Sequence, residues 1–278
     1  MVKKIIFTSD LHGRENFYEE LFQAAKDCDI AILGGDLLPG AWGLDEAVAF
    51  QREFILDFLL PKLADFKAEN RKTEFFLMMG NDDWKTNMDL LESSDYKLLK
   101  LLHNRIYPLS GGITLCGYGY VDITPFGMKD WEKWDLPVAT GKSINLDGYI
   151  SENGVTRRFS FTKNRIDNLA ADLKKLAAKT NPRTTIYVTH APPHDTALDV
   201  NFFDEPVGSV AIREFINNYQ PLATLHGHIH ESPTRTGNWV QMLGDTISIN
   251  PGQNSERLHY VTFSLPNIKK SLRHSVYK

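Results

Sequence analysis

The sequence predicts an α/β protein in which helices alternate with the strands of a largely buried sheet. Short apolar runs rich in β-branched and aromatic residues occur at 4–9, 30–33 and 75–79. Glycine or a polar residue stops each of them, as is typical of buried strands. Amphipathic segments with apolar residues at helical spacing lie between them. This order indicates a sheet covered by helices.

The helices of the first half follow from the apolar spacing and from capping signals. Residues 15–26 are predicted to be helical because apolar side chains recur on one stripe of that segment. A second helix is predicted to begin with Asp45 as its N-cap and to run towards Pro61.

The second half repeats the pattern after an irregular interval. Thr162 is predicted to cap a helix whose apolar positions continue to Ala177, and Gly237-Asn238 is predicted to form a hairpin turn. The last dozen residues are predicted to be a solvated tail. The remaining predicted elements are a helix at 209–219 and strands at 184–188, 222–225, 239–243, 246–249 and 258–265.

Residues 118–161 are rich in glycine, proline, aromatic and charged residues, and predict an inserted loop or lid within one domain of residues 1–278. Its aromatic residues are predicted to shape a substrate pocket, the alternative being a small apolar cluster packed under a loop. These residues are Tyr118, Tyr120, Phe126, Trp131 and Trp134.

Composition excludes several classes of protein. Hydrophobic residues make up 42% of the 278 residues, which excludes global disorder. With 31 basic and 35 acidic side chains the net charge is −4, which disfavours a nucleic-acid partner. The two cysteines form no CxxC motif, and no apolar run is long enough to span a membrane. We therefore expect a cytoplasmic protein without a membrane partner.

Residues that commonly ligate metals lie just beyond the predicted strands, at the carboxyl ends where α/β sheets bind ligands. They are Asp10, His12, Asp36, Asn81, Asp82, Asp83, His190, His226, His228 and His230. Imidazole together with carboxylate or amide oxygen suits Zn, Fe or Mn. Each motif alone is compatible with an ordinary turn, but the ordered set favours a metal site.

The same motifs resemble a known family. The segments Asp10-Leu11-His12, Gly35-Asp36, Gly80-Asn81-Asp82, Thr189-His190 and Gly227-His228-Ile229-His230 are similar, in order, to the five signature blocks of the calcineurin-like metallophosphoesterases. The resemblance implies a four-layer fold, with two mixed β-sheets forming a sandwich flanked by helices. It also implies two transition-metal ions (Mn, Fe or Zn). Asp10, His12 and His230 would hold the first, Asn81, His190 and His228 the second, and Asp36 would bridge both.

One position departs from the family pattern. The third block usually ends in a histidine that protonates the leaving group or steadies the phosphate, whereas this chain has Asp82. Asp82 itself, His194 and His226 are the candidate catalytic residues. Asn81, Tyr120 and Phe126 are predicted to contact substrate.

Two metal ions can polarise a phosphoryl oxygen and generate a bridging hydroxide that attacks phosphorus in line. The resemblance therefore implies hydrolysis of a small-molecule phosphoester, and the chain's size favours phosphodiesters such as nucleotides. Phosphomonoester hydrolysis is the alternative within the enzymes. A non-catalytic metal-binding scaffold for protein partners and, less favoured, a nuclease are the others.

Overall fold

Two six-stranded mixed sheets form the centre of the fold, in a computed structural model that describes residues 2–40, 43–95, 97–138 and 144–277. The strands, numbered along the chain, are β1 (Lys3–Thr8), β2 (Ile30–Leu33), β3 (Glu74–Leu77), β4 (Lys100–Leu101), β5 (Ile106–Pro108), β6 (Thr114–Tyr118), β7 (Val121–Asp122), β8 (Glu132–Lys133), β9 (Asp147–Glu152), β10 (Val155–Ser160), β11 (Thr185–Thr189), β12 (Ala223–Leu225), β13 (Val240–Leu243), β14 (Thr246–Ile249), β15 (Val261–Leu265) and β16 (Arg273–His274).

The first sheet has the order β16-β15-β1-β2-β3-β4, and the second has the order β13-β14-β12-β11-β6-β5. Strands β1 to β4 are parallel to one another, and β15 pairs antiparallel with β1 and with β16. In the second sheet β6, β11, β12 and β14 are parallel, with the antiparallel strands β5 and β13 at the two edges.

The described residues form eight α-helices, several of which cover the outer faces of the two sheets. They are α1 (Glu15–Ala25), α2 (Leu44–Phe54), α3 (Leu60–Glu69), α4 (Met88–Ser93), α5 (Leu169–Ala178), α6 (Val210–Tyr219), α7 (Ser232–Thr236) and α8 (Ile268–Ser271). No helix in the described part of the chain is both long and apolar enough to cross a membrane.

Side-chain alternation along the strands builds the layers. Ile5 and Phe7 of β1 point towards the second sheet and pack in one apolar cluster with Val188 and Leu225. Ile6 points the opposite way, into the cluster formed with the helices. Successive residues of a strand face opposite sides, so a strand buried on both faces is apolar throughout. The predicted sandwich of two mixed sheets flanked by helices is confirmed.

Two predicted helix starts are wrong. Helix α2 begins at Leu44 with Gly43 as its N-cap, so Asp45 lies inside the helix. Helix α5 begins at Leu169, because the Asn168 side chain accepts a hydrogen bond from the N–H of Ala171, and Thr162 is not the cap.

The path of the chain past Pro61 also differs from the prediction. A π-helical turn over Ile55–Leu59 joins α2 to α3, and Pro61 occupies the first turn of α3. Proline is tolerated there because a first-turn N–H has no partner within the helix.

The carboxyl-terminal part of the chain is more ordered than predicted. Gly237 ends α7, and Gly244-Asp245 forms the turn of the β13–β14 hairpin. The segment predicted to be a solvated tail contains α8 and edge strand β16. Ile268 and Leu272 are buried and hold this segment against the first sheet as part of the core between the sheets.

The predicted insertion contains regular strands in its described residues, 118–138 and 144–161, where the sequence predicted an irregular loop, and residues 139–143 lie outside the described part of the chain. Strands β9 and β10 form a six-pair antiparallel hairpin, and β7 pairs with β8. The Lys129 ammonium lies 2.8 Å from a Glu132 carboxylate oxygen, and these side chains are 0% and 1% exposed. Lys129 also donates to the carbonyl oxygen of Thr124. A fully buried ion pair thus ties the insertion together.

We expect Lys129→Met to destabilise the protein by about 3–5 kcal/mol, because it leaves the Glu132 carboxylate buried without its partner. Urea denaturation followed by circular dichroism measures the change. The double variant Lys129→Met/Glu132→Gln should recover part of the loss. If Lys129→Met stays within about 0.5 kcal/mol of the wild type, the pair does not support the insertion.

Candidate metal centre

The candidate site lies where the carboxyl ends of both sheets meet. Asp10 follows β1 and Asp36 follows β2 in the first sheet, whereas His190 follows β11 and His228 follows β12 in the second. Parallel strands end at the same edge of a sheet, so their following loops converge. The predicted strand-end ligands are therefore brought together from opposite layers of the sandwich.

Two groups of potential ligands share one carboxylate. Asp10, His12 and Asp36 form the first group, and Asp36, His190 and His228 form the second. Within each group the candidate ligand atoms all lie within 4.8 Å of one another. Asp36 therefore offers a candidate ligand atom to either group.

His190 is the most enclosed member of the two groups. Its Nε2 atom lies 3.2 Å from Asp36 Oδ2 and 3.1 Å from Asn81 Oδ1. Its Nδ1 atom lies 2.9 Å from the carbonyl oxygen of Gly34, an acceptor, so Nδ1 carries the proton. This contact directs Nε2 towards the carboxylates, as in histidines that ligate metals through one nitrogen.

The structure places the other predicted ligands around these two groups. Asn81 approaches His190 through its side-chain oxygen, and the N–H of His228 donates to Asp10 at 2.9 Å. The His230 ring lies with its centroid 5.8 Å from that of His12, outside both groups but on the same cavity wall.

Glycines allow the ligand loops to approach one another this closely. A Cβ atom on Gly80 would lie 2.3 Å from Asp36 Oδ1, and one on Gly227 would lie 2.4 Å from Asp10 Oδ2. Such contacts are far inside van der Waals distance, so any side chain at either position would displace a ligand carboxylate.

Four of the candidate ligands have left-handed backbone conformations. The φ angles are 60° at Asp10, 46° at His12, 52° at Asp36 and 64° at His228. This region is unfavourable for residues that carry a Cβ atom, and such outliers cluster at functional sites. The loops therefore hold these side chains at a cost in backbone energy.

The charges of the site suit cations. Burial opposes ionisation of Asp36, but the charges of His190 and His12 outweigh it and hold the pKa of Asp36 well below its usual range. Burial likewise opposes protonation of His190, yet Asp36 and Asp10 raise its pKa to about 10. An ionised carboxylate beside imidazole donors fits divalent transition metals.

Asp83 lies directly beneath this centre and holds its loops together. The side chain is fully buried and accepts hydrogen bonds from the N–H groups of Leu37, Leu38 and Gly80 at 2.8 to 3.1 Å. It therefore connects the loop that carries Asp36 to the loop that carries the next ligand. The sequence marks Asp83 only as one of three polar residues after β3.

A cavity of about 1180 Å³ opens above the candidate ligands. Its mouth carries three exposed aromatic side chains, namely Phe126 (59% exposed), Phe202 (65%) and Phe203 (83%). The sequence predicted Phe126 but missed the adjacent pair, although two phenylalanines between Asn201 and Asp204 in a turn-like segment are a usable signal. The cavity combines an acidic floor with an aromatic rim.

Comparison with known proteins agrees with this geometry. The sequence profile of the calcineurin-like phosphoesterases matches residues 3–232. The chain belongs to the calcineurin-like phosphoesterase family. The resemblance of the five signature blocks is thereby confirmed, and this phosphoesterase belongs to a family that uses a dinuclear metal centre.

Several relatives extend the similarity over the whole chain. The phosphoesterase is 26% identical over 262 residues to the uncharacterised protein MJ1162 of Methanocaldococcus jannaschii, covering 92% of this chain and 91% of that protein. TT1561 of Thermus thermophilus has the same fold, with a TM-score of 0.59 and 17% identity over 99% of this chain and 98% of that chain. A dimetal phosphatase from Danio rerio gives a TM-score of 0.52 and 11% identity over 99% of both chains.

The three candidate catalytic residues of this phosphoesterase occupy different environments. Asp82 and His194 line the cavity, and the Asp82 side chain is 43% exposed. His226 is fully buried, and its ring nitrogens contact Thr189, Ala191 and Thr224. Burial lowers the pKa of His226 to about 4. His226 contacts the residues on either side of His190, so its position suits holding the end of β11 in place better than contacting substrate.

Asp82 lies beside the candidate ligands. Its Oδ2 atom is 3.8 Å from Nδ1 of His12, and its Oδ1 atom accepts a hydrogen bond from Asn81. Partial burial and the neighbouring Asp36 carboxylate raise the pKa of Asp82 to about 6. The departure from the family pattern thus places a carboxyl group at the edge of the metal centre.

The insertion supplies one side of the cavity but not through all of its aromatic residues. Phe126 lines the cavity above the candidate ligands, called the metal cavity below, whereas Tyr118, Trp131 and Trp134 are buried in the protein. Tyr120 lies in a second cavity that shares no described lining residue with the first. The structure therefore does not bring Tyr120 to the candidate ligands, and its side chain contacts Lys85, His103 and Trp131 instead.

His103 contacts Tyr120 in this second cavity, with ring centroids 5.2 Å apart. Burial, together with the nearby Lys85 and Lys133 ammonium groups, lowers the pKa of His103 to about 3, and Asp172 opposes this shift only in part. Its Nδ1 atom accepts a hydrogen bond from the N–H of Gly119 at 2.9 Å. His103 is therefore neutral at physiological pH.

Since the unfolded chain protonates His103 near pH 6.5, its contribution to stability is present above that pH. It should be lost as pH falls towards 3, because only the unfolded state takes up the proton in that interval. We expect His103→Gln, which can still accept from Gly119, to flatten the decline of the unfolding free energy with acid. Urea denaturation at a series of pH values measures this, and an unchanged acid slope would contradict it.

Asp36→Ala should abolish binding of two metal ions, because the substitution removes a ligand from both groups at once. Elemental analysis of Mn-reconstituted protein measures the metal content. Glu205→Ala is the matched control, since this exposed carboxylate lines the same cavity outside both groups. Unchanged metal content in Asp36→Ala would exclude a shared ligand.

Proposed function

We propose that this phosphoesterase hydrolyses phosphodiester bonds in small molecules with the help of two metal ions. The observation that carries the proposal is the presence of Asp36 in both ligand groups at the floor of an open cavity. Two cations that share one carboxylate suit displacement at phosphorus, because they can contact the attacking and the leaving oxygen together.

Seven residues would hold the two ions. Asp10, His12 and His230 would bind one ion, and Asn81, His190 and His228 the other, with Asp36 between them. When bound, such ions polarise a phosphoryl oxygen and lower the pKa of water. The chain itself fixes the ligands through the Asp83 hydrogen bonds and orients the His190 ring through Gly34.

The charges of the cavity favour diesters over monoesters. Among the described residues, five carboxylates line it and no lysine or arginine does. Of these, all but Asp36 lie outside the two ligand groups, namely Asp82, Asp122, Glu205 and Glu231. A monoester dianion would face these carboxylates with only the metal ions to offset its charge, whereas a diester carries one negative charge.

The aromatic rim supports an organic group on each side of the phosphate. Phe126, Phe202 and Phe203 present exposed apolar surface in the same cavity as the candidate ligands. Burying such surface against a substrate is favourable at about 25 cal/mol per Å². A diester with two organic substituents uses this rim more fully than a monoester does.

We expect Mn-loaded protein to hydrolyse bis(p-nitrophenyl) phosphate with a kcat/KM at least about tenfold higher than that for p-nitrophenyl phosphate, a difference near 1.4 kcal/mol. Release of p-nitrophenol measures both reactions, and Asp36→Ala is the inactive control. A preference for the monoester would favour the phosphomonoesterase alternative. If metal-replete protein turned over neither substrate, the scaffold alternative would gain support.

The reaction should depend steeply on the leaving group, because Asp82 replaces the histidine that protonates it in relatives. Aryl oxides leave readily as anions, whereas alkoxides need a proton, and general acid catalysis contributes about 10²–10⁴-fold. We expect Asp82→His to flatten the plot of log(kcat/KM) against leaving-group pKa.

His194 provides the comparison for this experiment, since it lines the same cavity. If the wild type already shows a shallow dependence that becomes steep in His194→Ala, then His194 is the proton donor. That result would contradict the loss of a donor at Asp82.

A further inference from the structure

The second cavity has a charge opposite to that of the chain. It has a volume of about 620 Å³ and lies between the insertion, the segment before β5 and helix α5. The charged residues among its described lining are Lys85, Arg105, Lys133, Lys175 and Lys179, against Glu92 and Asp172. The whole protein carries a net charge of −4, so this basic excess is local.

Two ammonium groups in this cavity flank one aromatic ring. Lys85 Nζ donates to the Tyr120 hydroxyl at 2.8 Å, and Lys133 Nζ lies 4.6 Å from the centroid of the same ring. Lys85 Nζ is also 5.1 Å from the Trp131 ring. These contacts orient both cations but neutralise neither of them.

Part of the positive charge is unpaired. Lys133 pairs with Asp167 and Asp172. Lys85 and Lys179, by contrast, form no salt bridge with any residue in the described ranges. The low pKa of His103, which Lys85 and Lys133 lower further after burial, agrees with a positive potential here. Free cations in a concave site favour an anionic ligand.

A buried donor in the cavity wall gives independent support. Trp131 lines the cavity and is 1% exposed, and its indole N–H has no acceptor among the described residues. A buried donor of this kind is costly unless an acceptor reaches it. The wall therefore combines unpaired ammonium groups with an unused hydrogen-bond donor.

We infer that the second cavity binds a small organic phosphate at a site separate from the metal centre. Phosphate oxygens accept hydrogen bonds from ammonium groups, and lysine is a common phosphate ligand. The cavity volume falls within the range of pockets that hold organic ligands of moderate size, and exceeds what a lone phosphate ion needs. This cavity and the metal cavity share none of their described lining residues.

Binding of AMP to full-length protein carrying His228→Ala tests this inference. The substitution removes a ligand from one group, and EDTA in every sample removes metal from both groups, so that the probe is neither retained nor hydrolysed there and the result does not depend on the proposed catalytic function. Calorimetry gives affinity and stoichiometry, and tryptophan fluorescence reports on Trp131. Adenosine and inorganic phosphate are the comparison ligands.

We expect one AMP per chain, no binding of adenosine and weaker binding of inorganic phosphate. Adding Lys85→Met and Lys179→Met should weaken AMP binding by about tenfold or more, because both free ammonium groups are lost. Lys174→Met is the matched control, since this exposed lysine of α5 does not line the cavity. Higher salt should also weaken binding, which checks the charge contribution without a substitution.

Three results would overturn the inference. The first is no AMP binding in the His228→Ala protein. The second is equal loss of affinity in Lys174→Met and in the Lys85→Met/Lys179→Met protein, or no loss in either. The third is equal affinity for inorganic phosphate and AMP, which would exclude recognition of an organic phosphate.

Discussion

The buried carboxylate of Asp83 is the interaction on which the functional region depends most. Its oxygens accept three backbone N–H groups, two from the loop after β2 and one from the loop after β3. These bonds set the distance between Asp36 and Asn81, and both residues must approach His190 from the other sheet. If the loops after β2 and β3 were not held together, Asp36 and Asn81 would not both reach His190, and the candidate ligands of the two sheets would not form one metal centre.

Much of the fold and most of the candidate ligands could be predicted because their signals are local. Buried strands read as short apolar runs, and the ligand residues follow them directly along the chain. The positions of Tyr120 and Asp83 could not be predicted in this way. Tyr120 depends on where the insertion folds back, and the role of Asp83 depends on N–H groups more than forty residues away in sequence. Both are products of long-range packing.

The wrong helix cap and the missed hairpin in the insertion have a related cause. Thr162 is a common N-cap residue, but Asn168 is the N-cap of helix α5. Its side-chain amide also donates hydrogen bonds to the carbonyl oxygens of Arg165 and Ile166, which fixes the chain just before the helix. The β9–β10 hairpin was missed because its strands are half-exposed and lack a continuous apolar run. Half-exposed strands are stabilised by the strands that they pair with, and the pattern of a short stretch of sequence does not show which strand that is.

The left-handed conformations at Asp10, His12, Asp36 and His228 have an evolutionary consequence. Each costs about 1–2 kcal/mol relative to an ordinary backbone, and glycine would relieve that cost at every position. Mutation pressure for stability alone would therefore erode these loops towards glycine or asparagine. Replacing these aspartates and histidines with glycine would therefore trade the candidate ligands for a more stable backbone, as expected where function and stability oppose each other.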